Sequence, residues 1–238
     1  MLEGVSRMFG ALRAIEDVSL SVAAGERRAV IGANGAGKTT LFNVITGDFP
    51  ATRGRVLFFG EDVTQHPPFE RIRMGLRRTY QSSLLFRELS VRDNLFLATR
   101  GVSRNRFSLI RARRSRTTDE LLARVRLTAV ADQPVAALSH GQQRQLEIGM
   151  ALAGAPRLIL FDEPAAGLSP GERAELVALL NALPAHMGFI IIEHDLDIAL
   201  RVVQRVTVMH NGRVLKEGTP EEIENDPEVQ AIYMGVRH

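Results

Sequence analysis

A glycine-rich loop between a short apolar strand and a helix constrains the fold of this chain more than any other feature. Residues 32–39 have the sequence GANGAGKT, which fits the pattern G-x-x-x-x-G-K-[ST]. Arg28–Ile31 predicts a buried strand that runs directly into this loop, and Thr39–Thr46 predicts a helix that ends at Gly47. A strand, a phosphate-binding loop and a helix in this order predict an α/β fold that binds a nucleoside triphosphate.

The residues of this loop have the chemistry that phosphate oxygens require. Glycines let backbone N–H groups close on the phosphates without a side-chain clash, and Lys38 places a point charge on the β and γ phosphates. The Thr39 hydroxyl is the expected ligand of Mg²⁺. We predict that the nucleotide contacts the loop and the first turn of the helix, at Gly32, Asn34, Gly35, Ala36, Gly37, Lys38, Thr39 and Thr40.

A pair of carboxylates follows a strongly apolar strand much further along the chain. Leu158–Phe161 is apolar, and Asp162 and Glu163 come directly after it. Because ligands of open α/β sheets bind beyond the carboxyl ends of the strands, both carboxylates are predicted to face the phosphate loop. Asp162 would hold Mg²⁺, and Glu163 would orient or deprotonate an attacking water. The alternative is a solvated strand end without a function.

A third motif, SHGQ at residues 139–142, admits two interpretations. Ser139 followed by Gln142 is a capping box, so the segment could be only a well-capped helix start. The same geometry with Gly141 nearby also makes an anion site. A helix placed over its own phosphate loop would compete with Lys38, so anion binding here implies the γ-phosphate of a second subunit. The residues alone leave both interpretations open.

Strand and helix patterns alternate along most of the chain. Nearly continuous apolar strands separated by amphipathic helices predict a parallel sheet covered on both faces. The first residues predict a small β region, and Asn211-Gly212 predicts a hairpin turn near the end. A helical, arginine-rich pattern at 82–145 interrupts the alternation and predicts an inserted lobe, with 1–81 and 146–238 forming the core of a single domain.

Composition narrows the class of protein further. No run approaches eighteen uncharged apolar residues, and the first residues lack the pattern of a secretory signal, so neither a membrane span nor export is expected. The absence of cysteine excludes disulfides and thiol catalysis. Seven arginines and no acid lie between Arg100 and Arg116. They predict a solvated face or attraction to anionic lipid headgroups, whereas nucleic acid is not expected because Phe107 is the single aromatic there.

Taken together, the three motifs resemble those of nucleotide-binding subunits of ATP-binding cassette (ABC) transporters, and the resemblance runs nearly the whole length of the chain. It implies a P-loop NTPase (RecA-like) core with a parallel sheet, an N-terminal antiparallel β region and an inserted α-helical subdomain. It also implies that ATP is hydrolysed between two subunits. Ser139, Gly141 and Gln142 would form the signature motif, which acts on the nucleotide of the partner.

The resemblance assigns roles to three further residues, and the sequence departs from the family pattern at two positions. It implies that Gln81 belongs to the glutamine loop that touches Mg²⁺, that His194 is the switch histidine at the γ-phosphate, and that Phe9 stacks on adenine. His140 stands where the family usually has glycine, and Ser169 stands where aspartate is commonest. The second departure concerns the loop that couples the two ATP sites.

Several segments resemble branched-chain amino acid importers, and importers of urea and short amides are similar. The resemblance implies a cytoplasmic ATPase subunit, peripheral on the inner face of the membrane and bound to integral permease subunits. It would pair as a homodimer or with a paralogous ATPase, and would act indirectly with a solute-binding protein. The segments that carry this resemblance are 78–81, 85–91, 138–143 with 146–148, 163–168 and 217–220.

Rival classes lack support in the sequence. ATPase heads of DNA-repair proteins need long coiled-coil arms, and no sustained heptad pattern exists here. Soluble members that act in translation carry two cassettes in one chain, whereas this chain has one. A small-molecule kinase would need neither Leu138–Gln143 nor the pair Asp162-Glu163. The transported solute never touches this subunit, so the sequence does not identify it.

Overall fold

The computed structural model describes residues 1–80, 85–101 and 116–233, which form two β-sheets and the helices packed on them. The strands, numbered in chain order, are β1 Leu2–Phe9, β2 Leu12–Leu20, β3 Arg27–Gly32, β4 Arg53–Phe58, β5 Glu61–Asp62, β6 Leu76–Arg78, β7 Leu158–Asp162, β8 Gly188–Ile192, β9 Arg205–His210 and β10 Arg213–Gly218. The helices are α1 Lys38–Thr46, α2 Pro68–Arg73, α3 Val91–Gly101, α4 Arg116–Arg124, α5 His140–Ala151, α6 Pro170–Asn181, α7 Leu196–Val202, α8 Pro220–Glu224 and α9 Pro227–Tyr233.

The larger sheet has the strand order β10-β9-β3-β8-β7-β6. Its strands are parallel except for β10, which pairs antiparallel with β9 through the predicted hairpin at Asn211-Gly212. Every residue of β3 and β8 is buried. Strands buried on both faces can be apolar throughout, which is why the sequence shows continuous apolar runs rather than alternation. The predicted parallel sheet is confirmed.

Alternate residues of the central strands face two separate apolar clusters. Val30 and Leu160 belong to a cluster shared with α1 and the smaller sheet. Ile31 and Phe161 point to the opposite face, in a cluster shared with α5, α6 and α7, where Phe161 meets Phe189 edge-on at 5.5 Å. The phosphate loop and the two carboxylates therefore follow strands of a sheet that is packed on both faces, and they lie at the same edge of that sheet.

The smaller sheet is the predicted N-terminal antiparallel β region. Its strand order is β2-β1-β4-β5. Val5, Ile15 and Val18 are fully buried and pack with Leu41 and Phe42 of α1. Because α1 follows the phosphate loop, this packing anchors the loop to the smaller sheet.

Helices α3, α4 and α5 pack together where the inserted lobe was predicted. Leu95 of α3 lies beside α5 so closely that a Cβ on Gly149 would be 3.0 Å from its Cδ2 and 3.2 Å from a methyl of Val125. The predicted limit between residues 145 and 146 falls inside α5, so the division into 82–145 and the core remains a prediction. Most of the arginine cluster, at 102–115, lies outside the described residues.

The length and composition of the helices decide whether any of them could span a membrane. Within 1–80, 85–101 and 116–233, each helix is too short or too polar to cross a bilayer.

Helix α2 was not predicted from the sequence, and it positions a fully buried arginine. Arg71 Nη1 donates hydrogen bonds to Val44 O at 2.7 Å and Ile45 O at 2.8 Å. Its Nε donates to His66 O at 3.0 Å and its Nη2 to Thr64 O at 3.1 Å. The guanidinium thus donates to Ile45 O and adds a second donor to Val44 O, which also accepts from Gly47 N at 3.3 Å, and its charge favours the negative end of α1.

We expect Arg71→Leu to lower the free energy of unfolding by about 3 kcal/mol, because it removes the Arg71 donors from four carbonyls, of which Val44 O and Ile45 O make buried contacts. Urea unfolding followed by circular dichroism measures the change. Arg73→Leu, an exposed position on the same helix, is the control and should change stability by less than about 0.5 kcal/mol. Equal effects of the two substitutions would show that water satisfies these carbonyls instead.

Candidate functional site

The phosphate loop has a backbone that side chains would obstruct. Gly35 and Gly37 have φ of 80° and 99°, in the left-handed region that glycine adopts without strain. A Cβ on Gly37 would lie 2.6 Å from Ala14 O and 2.8 Å from Ile15 Cγ2. The loop therefore presents backbone rather than side chains to a ligand, as the motif predicted.

The hairpin between β9 and β10 supports the loop from outside. Gly212 N donates to Ala36 O at 3.1 Å, and Gly212 O accepts from Glu16 N at 2.8 Å. A Cβ on Gly32 would lie 2.5 Å from Met209 O. Strand β9, its turn and strand β2 thus fix the shape of the loop.

Lys38 begins α1 and is folded into the loop. Its Nζ donates to Gly32 O at 2.6 Å and to Ala33 O at 3.0 Å. Burial lowers the pKa of Lys38, while the nearby carboxylates of Glu163 and Asp162 act in the opposite direction. The ammonium group therefore lies inside the loop and within the field of Glu163, the predicted base, and Asp162, the predicted ligand of Mg²⁺.

The other predicted nucleotide contacts of the loop are mostly open to solvent. Asn34, Gly35 and Thr39 are exposed, and Thr40 is half-buried. Ala36 is buried under the hairpin, so only its backbone can serve a ligand. The Thr39 hydroxyl is available at the first turn of α1, where an ion beside a phosphate would need it.

Glu163 and His194 are brought together from two neighbouring strand ends. Glu163 follows β7, and its N–H donates to Ile192 O of β8 at 2.9 Å. His194 Nε2 lies 2.7 Å from Glu163 Oε1. Glu163 has φ of 48°, a backbone conformation that costs energy for a residue other than glycine and is frequent at functional sites. The structure thus joins the two residues that were predicted separately.

Asp162 is buried and paired with an arginine that was not predicted. Its side chain is almost inaccessible, and Oδ2 accepts a hydrogen bond from Arg78 Nη2 at 2.7 Å. Its backbone N–H donates to Thr79 Oγ1 at 3.3 Å. Arg78 and Thr79 lie at the end of β6, just before Gln81, which was predicted to touch Mg²⁺ and lies outside the described residues.

Ser139 and Gln142 form the predicted capping box at the start of α5. Ser139 Oγ accepts from Gln142 N at 3.2 Å, and Gln142 Oε1 accepts from Ser139 N at 3.0 Å. Gly141 N donates to Glu172 Oε1 of α6 at 3.0 Å. Within the described part of the chain, no hydrogen bond joins Ser139, Gly141 or Gln142 to the phosphate loop. The capping box is therefore confirmed, and the action of these residues on the nucleotide of a partner remains a prediction.

Phe9 lies at the end of β1 with 37% of its surface exposed. Its ring meets Phe49 edge-on at 5.3 Å, and the Arg7 guanidinium lies 4.6 Å from its centre. A partly exposed ring of this kind can receive a stacked base. The position of Phe9 is consistent with the predicted contact to adenine, which remains a prediction.

Comparison with known proteins decides the family. The ABC transporter family profile matches residues 15–166, and a profile described as branched-chain amino acid ATP-binding cassette transporter matches residues 213–238. The chain is 36% identical to LivG of Escherichia coli, a high-affinity branched-chain amino acid transport ATP-binding protein, over 98% of this chain and 96% of LivG. It is 37% identical to LptB of Acidithiobacillus ferridurans, a lipopolysaccharide export system ATP-binding protein, over 93% and 90%.

The chain belongs to the ABC transporter family. Solved structures agree with its fold. A nucleotide-free cassette of an ABC transporter matches with a TM-score of 0.85 and 35% identity, covering 98% of this chain and 97% of the other. A dimeric bacterial ABC transporter cassette matches with a TM-score of 0.80 and 25% identity, covering 92% and 97%. This chain is thus an ATP-binding subunit with the ABC ATPase fold.

The two departures from the ABC pattern both lie where the signature helix meets α6. His140 Nε2 lies 3.3 Å from Ala166 O, so the imidazole links the signature motif to the loop after Glu163. Ser169 caps α6, and its hydroxyl donates to Glu172 Oε2 at 2.8 Å. Aspartate could accept at this cap but could not donate to a carboxylate. Serine at position 169 is therefore matched to Glu172.

A buried carboxylate, Glu193, supports the catalytic loop of the cassette. Its Oε1 accepts from Ala165 N at 2.7 Å, and its side chain is almost wholly buried just before His194. Burial raises the pKa of Glu193 to about 7, although hydrogen bonds from the backbone of Ala165 and His194 oppose this change. The native protein therefore binds a proton here that the unfolded chain releases at lower pH.

We expect Glu193→Gln to stabilise the protein only at the higher pH values. Since the pKa of Glu193 is higher in the native state than its ordinary value of 4.5, wild-type stability falls as pH rises from about 4.5 to 7. The difference between these values corresponds to about 3 kcal/mol. Glutamine keeps the acceptor for Ala165 N and does not titrate.

Unfolding in urea between pH 5 and 8 measures this effect. The free-energy difference between Glu193→Gln and wild type should be small at pH 5 and grow toward pH 8. Glu221→Gln, at an exposed position of α8, is the control and should show no such trend. A constant difference across this range would contradict the raised pKa.

Sequence reasoning missed Arg78, Glu172 and Glu193. Each contacts a partner that is distant in sequence. Arg78 and Asp162 are 84 residues apart, and Glu172 and Gly141 are 31 residues apart. The sequence did offer an indication at Arg78. An arginine at the end of a buried strand is unusual, and this one lies three residues before the predicted site residue Gln81. A second indication was the sequence from Ser169 to Glu172, which is itself a capping-box pattern.

Proposed function

We propose that this chain hydrolyses ATP with Mg²⁺ in a head-to-tail dimer and thereby powers an importer of branched-chain amino acids. The observation that carries the proposal is the convergence of Lys38, Asp162, Glu163 and His194 at one sheet edge, beside a loop shaped for phosphate. Such a set supplies phosphate binding, an ion ligand and a base for water.

The residues present fit a magnesium ion. Mg²⁺ takes oxygen ligands and usually keeps several waters, using one or two protein groups plus the phosphates of its substrate. Thr39 and Asp162 offer such oxygens, and Gln81 is proposed as a third. Within 1–80, 85–101 and 116–233 no group of three or more Asp, Glu, His or Cys side chains could hold a metal ion by itself, so the phosphates of the substrate would have to supply further ligands. Bound there, the ion would neutralise charge on the β and γ phosphates.

The chain's own residues would perform the remaining steps. Lys38 exchanges its bonds to Gly32 O and Ala33 O for phosphate oxygens. Glu163 accepts a proton from the water that attacks the γ-phosphorus, while the bond from that phosphorus to the bridging oxygen of ADP breaks. His194 orients the Glu163 carboxylate through the 2.7 Å contact and reaches the γ-phosphate. Phe9 stacks on the adenine.

A second subunit would complete each site. Ser139, Gly141 and Gln142 start a helix whose positive end suits an anion, and the similar cassette that forms a dimer supports pairing. The partner is a second copy or a paralogous ATPase. Permease subunits in the membrane would hold the dimer at its cytoplasmic face, and a solute-binding protein would deliver the cargo to them.

The cargo is tested by uptake in cells that lack this gene. Loss of labelled leucine, isoleucine and valine uptake, restored by the wild-type gene but not by Lys38→Ala, is the expected result. Two other cargoes define the contrary outcomes. Unchanged leucine uptake with lost urea uptake would favour a urea or short-amide importer, and lost lipopolysaccharide transport to the surface would favour the role that the name of LptB describes.

A further inference from the structure

We propose that Arg78 is a positioning residue of the magnesium site, which holds Asp162 in the orientation that an ion requires and ties it to the end of β6. The proposal rests on the proposed function, because it concerns the ion that ATP hydrolysis would use. It assigns a role to a residue that the motifs of the site do not include.

Arg78 is buried and joins three elements. Nη2 donates to Asp162 Oδ2 of β7 at 2.7 Å, while Nη1 donates to Asn43 Oδ1 of α1. Nη1 also lies 3.3 Å from Asp48 Oδ2, just after α1. The side chain is only 6% exposed, so these contacts are shielded from water. One guanidinium therefore links the strand that carries Asp162 to the helix that carries Lys38.

The pairing leaves one oxygen of Asp162 for another partner. Oδ2 is taken by Arg78, and in the described part of the chain Oδ1 has no hydrogen-bond donor. Without Arg78, the Asp162 side chain, which is 5% exposed, would lose its countercharge and could rotate. Nη2 of the planar guanidinium contacts Oδ2 of Asp162 while Nη1 contacts Asn43, so the arginine ties Oδ2 to α1 in a way that the single ammonium of a lysine would not. The geometry thus orients Oδ1, the oxygen that can hold the ion or its water.

Packing keeps the guanidinium itself in place. Its carbon lies 4.9 Å from the centre of the Tyr80 ring and 5.7 Å from that of Phe42. Tyr80 directly precedes Gln81 in the sequence. A displacement of β6 or of Tyr80 would move the Arg78 guanidinium and with it the Asp162 side chain. A movement at the end of β6 would therefore change the geometry of the ion site.

The test compares nucleotide affinity with and without the ion. A fluorescent ATP analogue is titrated into the dimeric protein carrying Glu163→Gln, once in excess Mg²⁺ and once in EDTA. We expect Arg78→Met to reduce the gain in affinity that Mg²⁺ gives by about tenfold or more, as loss of a partner of a metal ligand does. The affinity in EDTA should stay within about twofold, because the loop and Lys38 are unchanged.

Two further variants separate positioning from folding. Arg78→Lys keeps the charge but loses the fork, and it should recover only part of the Mg²⁺ gain. Arg77→Met is the matched control on the same strand and should keep the full gain, since within the described residues Arg77 donates to the carbonyls of Ile72 and Leu76 and to no group of the site. Should Arg78→Met fail to fold, Asn43→Ala removes one anchor of the guanidinium and should show a smaller loss of the same sign.

Three results would overturn the inference. Arg78→Met could retain the full Mg²⁺ gain, it could lose affinity equally in both conditions, or it could show a larger gain, which would make Arg78 a competitor of the ion. Failure of the proposed function looks different: the protein with Arg78 intact would then bind the analogue equally well with and without Mg²⁺.

Discussion

Glu163→Gln slows ATP hydrolysis by about 10²- to 10⁴-fold, the usual scale for a lost general base. ATP still binds, because the substitution leaves the backbone of the phosphate loop and the Lys38 ammonium in place. Glutamine has nearly the shape of glutamate and keeps an oxygen for the hydrogen bond from His194 Nε2, so the geometry of the pair is retained. What the variant lacks is a group that can take a proton from water.

Steady-state phosphate release and nucleotide binding measure the two effects separately. Glu175→Gln, at an exposed position of α6, is the matched control and should leave turnover within about twofold of wild type. Turnover near the wild-type rate in Glu163→Gln would remove Glu163 from the mechanism. Loss of nucleotide binding instead would show that the substitution disturbs the loop.

Mixing two inactive proteins, one with Lys38→Ala and one with Ser139→Ala, restores ATPase activity if the signature motif acts on the partner's nucleotide. In a mixed dimer, the Lys38 of one subunit and the Ser139 of the other then form one intact site. Random pairing in equal amounts gives up to about a quarter of the wild-type number of intact sites. Each protein alone has none.

A second mixture is the control for this experiment. Lys38 and Glu163 belong to the same half of a site, so Lys38→Ala mixed with Glu163→Gln leaves both sites of every dimer defective and should restore nothing. Differently tagged subunits establish that mixed dimers form. If they form and the first mixture stays inactive at every ratio, Ser139 acts within its own chain and the proposed dimer mechanism is wrong.

The sequence predicted those parts of the molecule whose signals are local. The loop at 32–39, the apolar strands and the turn at Asn211-Gly212 each depend on neighbouring residues, and the structure confirms all three as elements of the fold. Helices α2, α8 and α9 were missed because they are short, although each begins at a proline, which is favoured at the first helical position.

The side-chain network around the site could not be predicted in the same way. Arg78 meets Asp162, and Arg71 meets the end of α1, only after the chain has folded. The pattern of a single sequence does not show which distant residues will meet. The positions of Glu163 and His194 were predictable one by one, but their 2.7 Å contact required β7 and β8 to be neighbours.

The strand order has a consequence for synthesis of this protein on the ribosome. Strand β3, which carries the phosphate loop, pairs on one side with β8 and on the other with β9, and both come from the last quarter of the chain. A nascent polypeptide that ends before Gly188 has made the loop but neither of the strands that hold it. The emerging chain therefore becomes able to bind ATP only near the end of translation. Until then the unpaired strand β3 needs protection, which chaperones or transient contacts can provide.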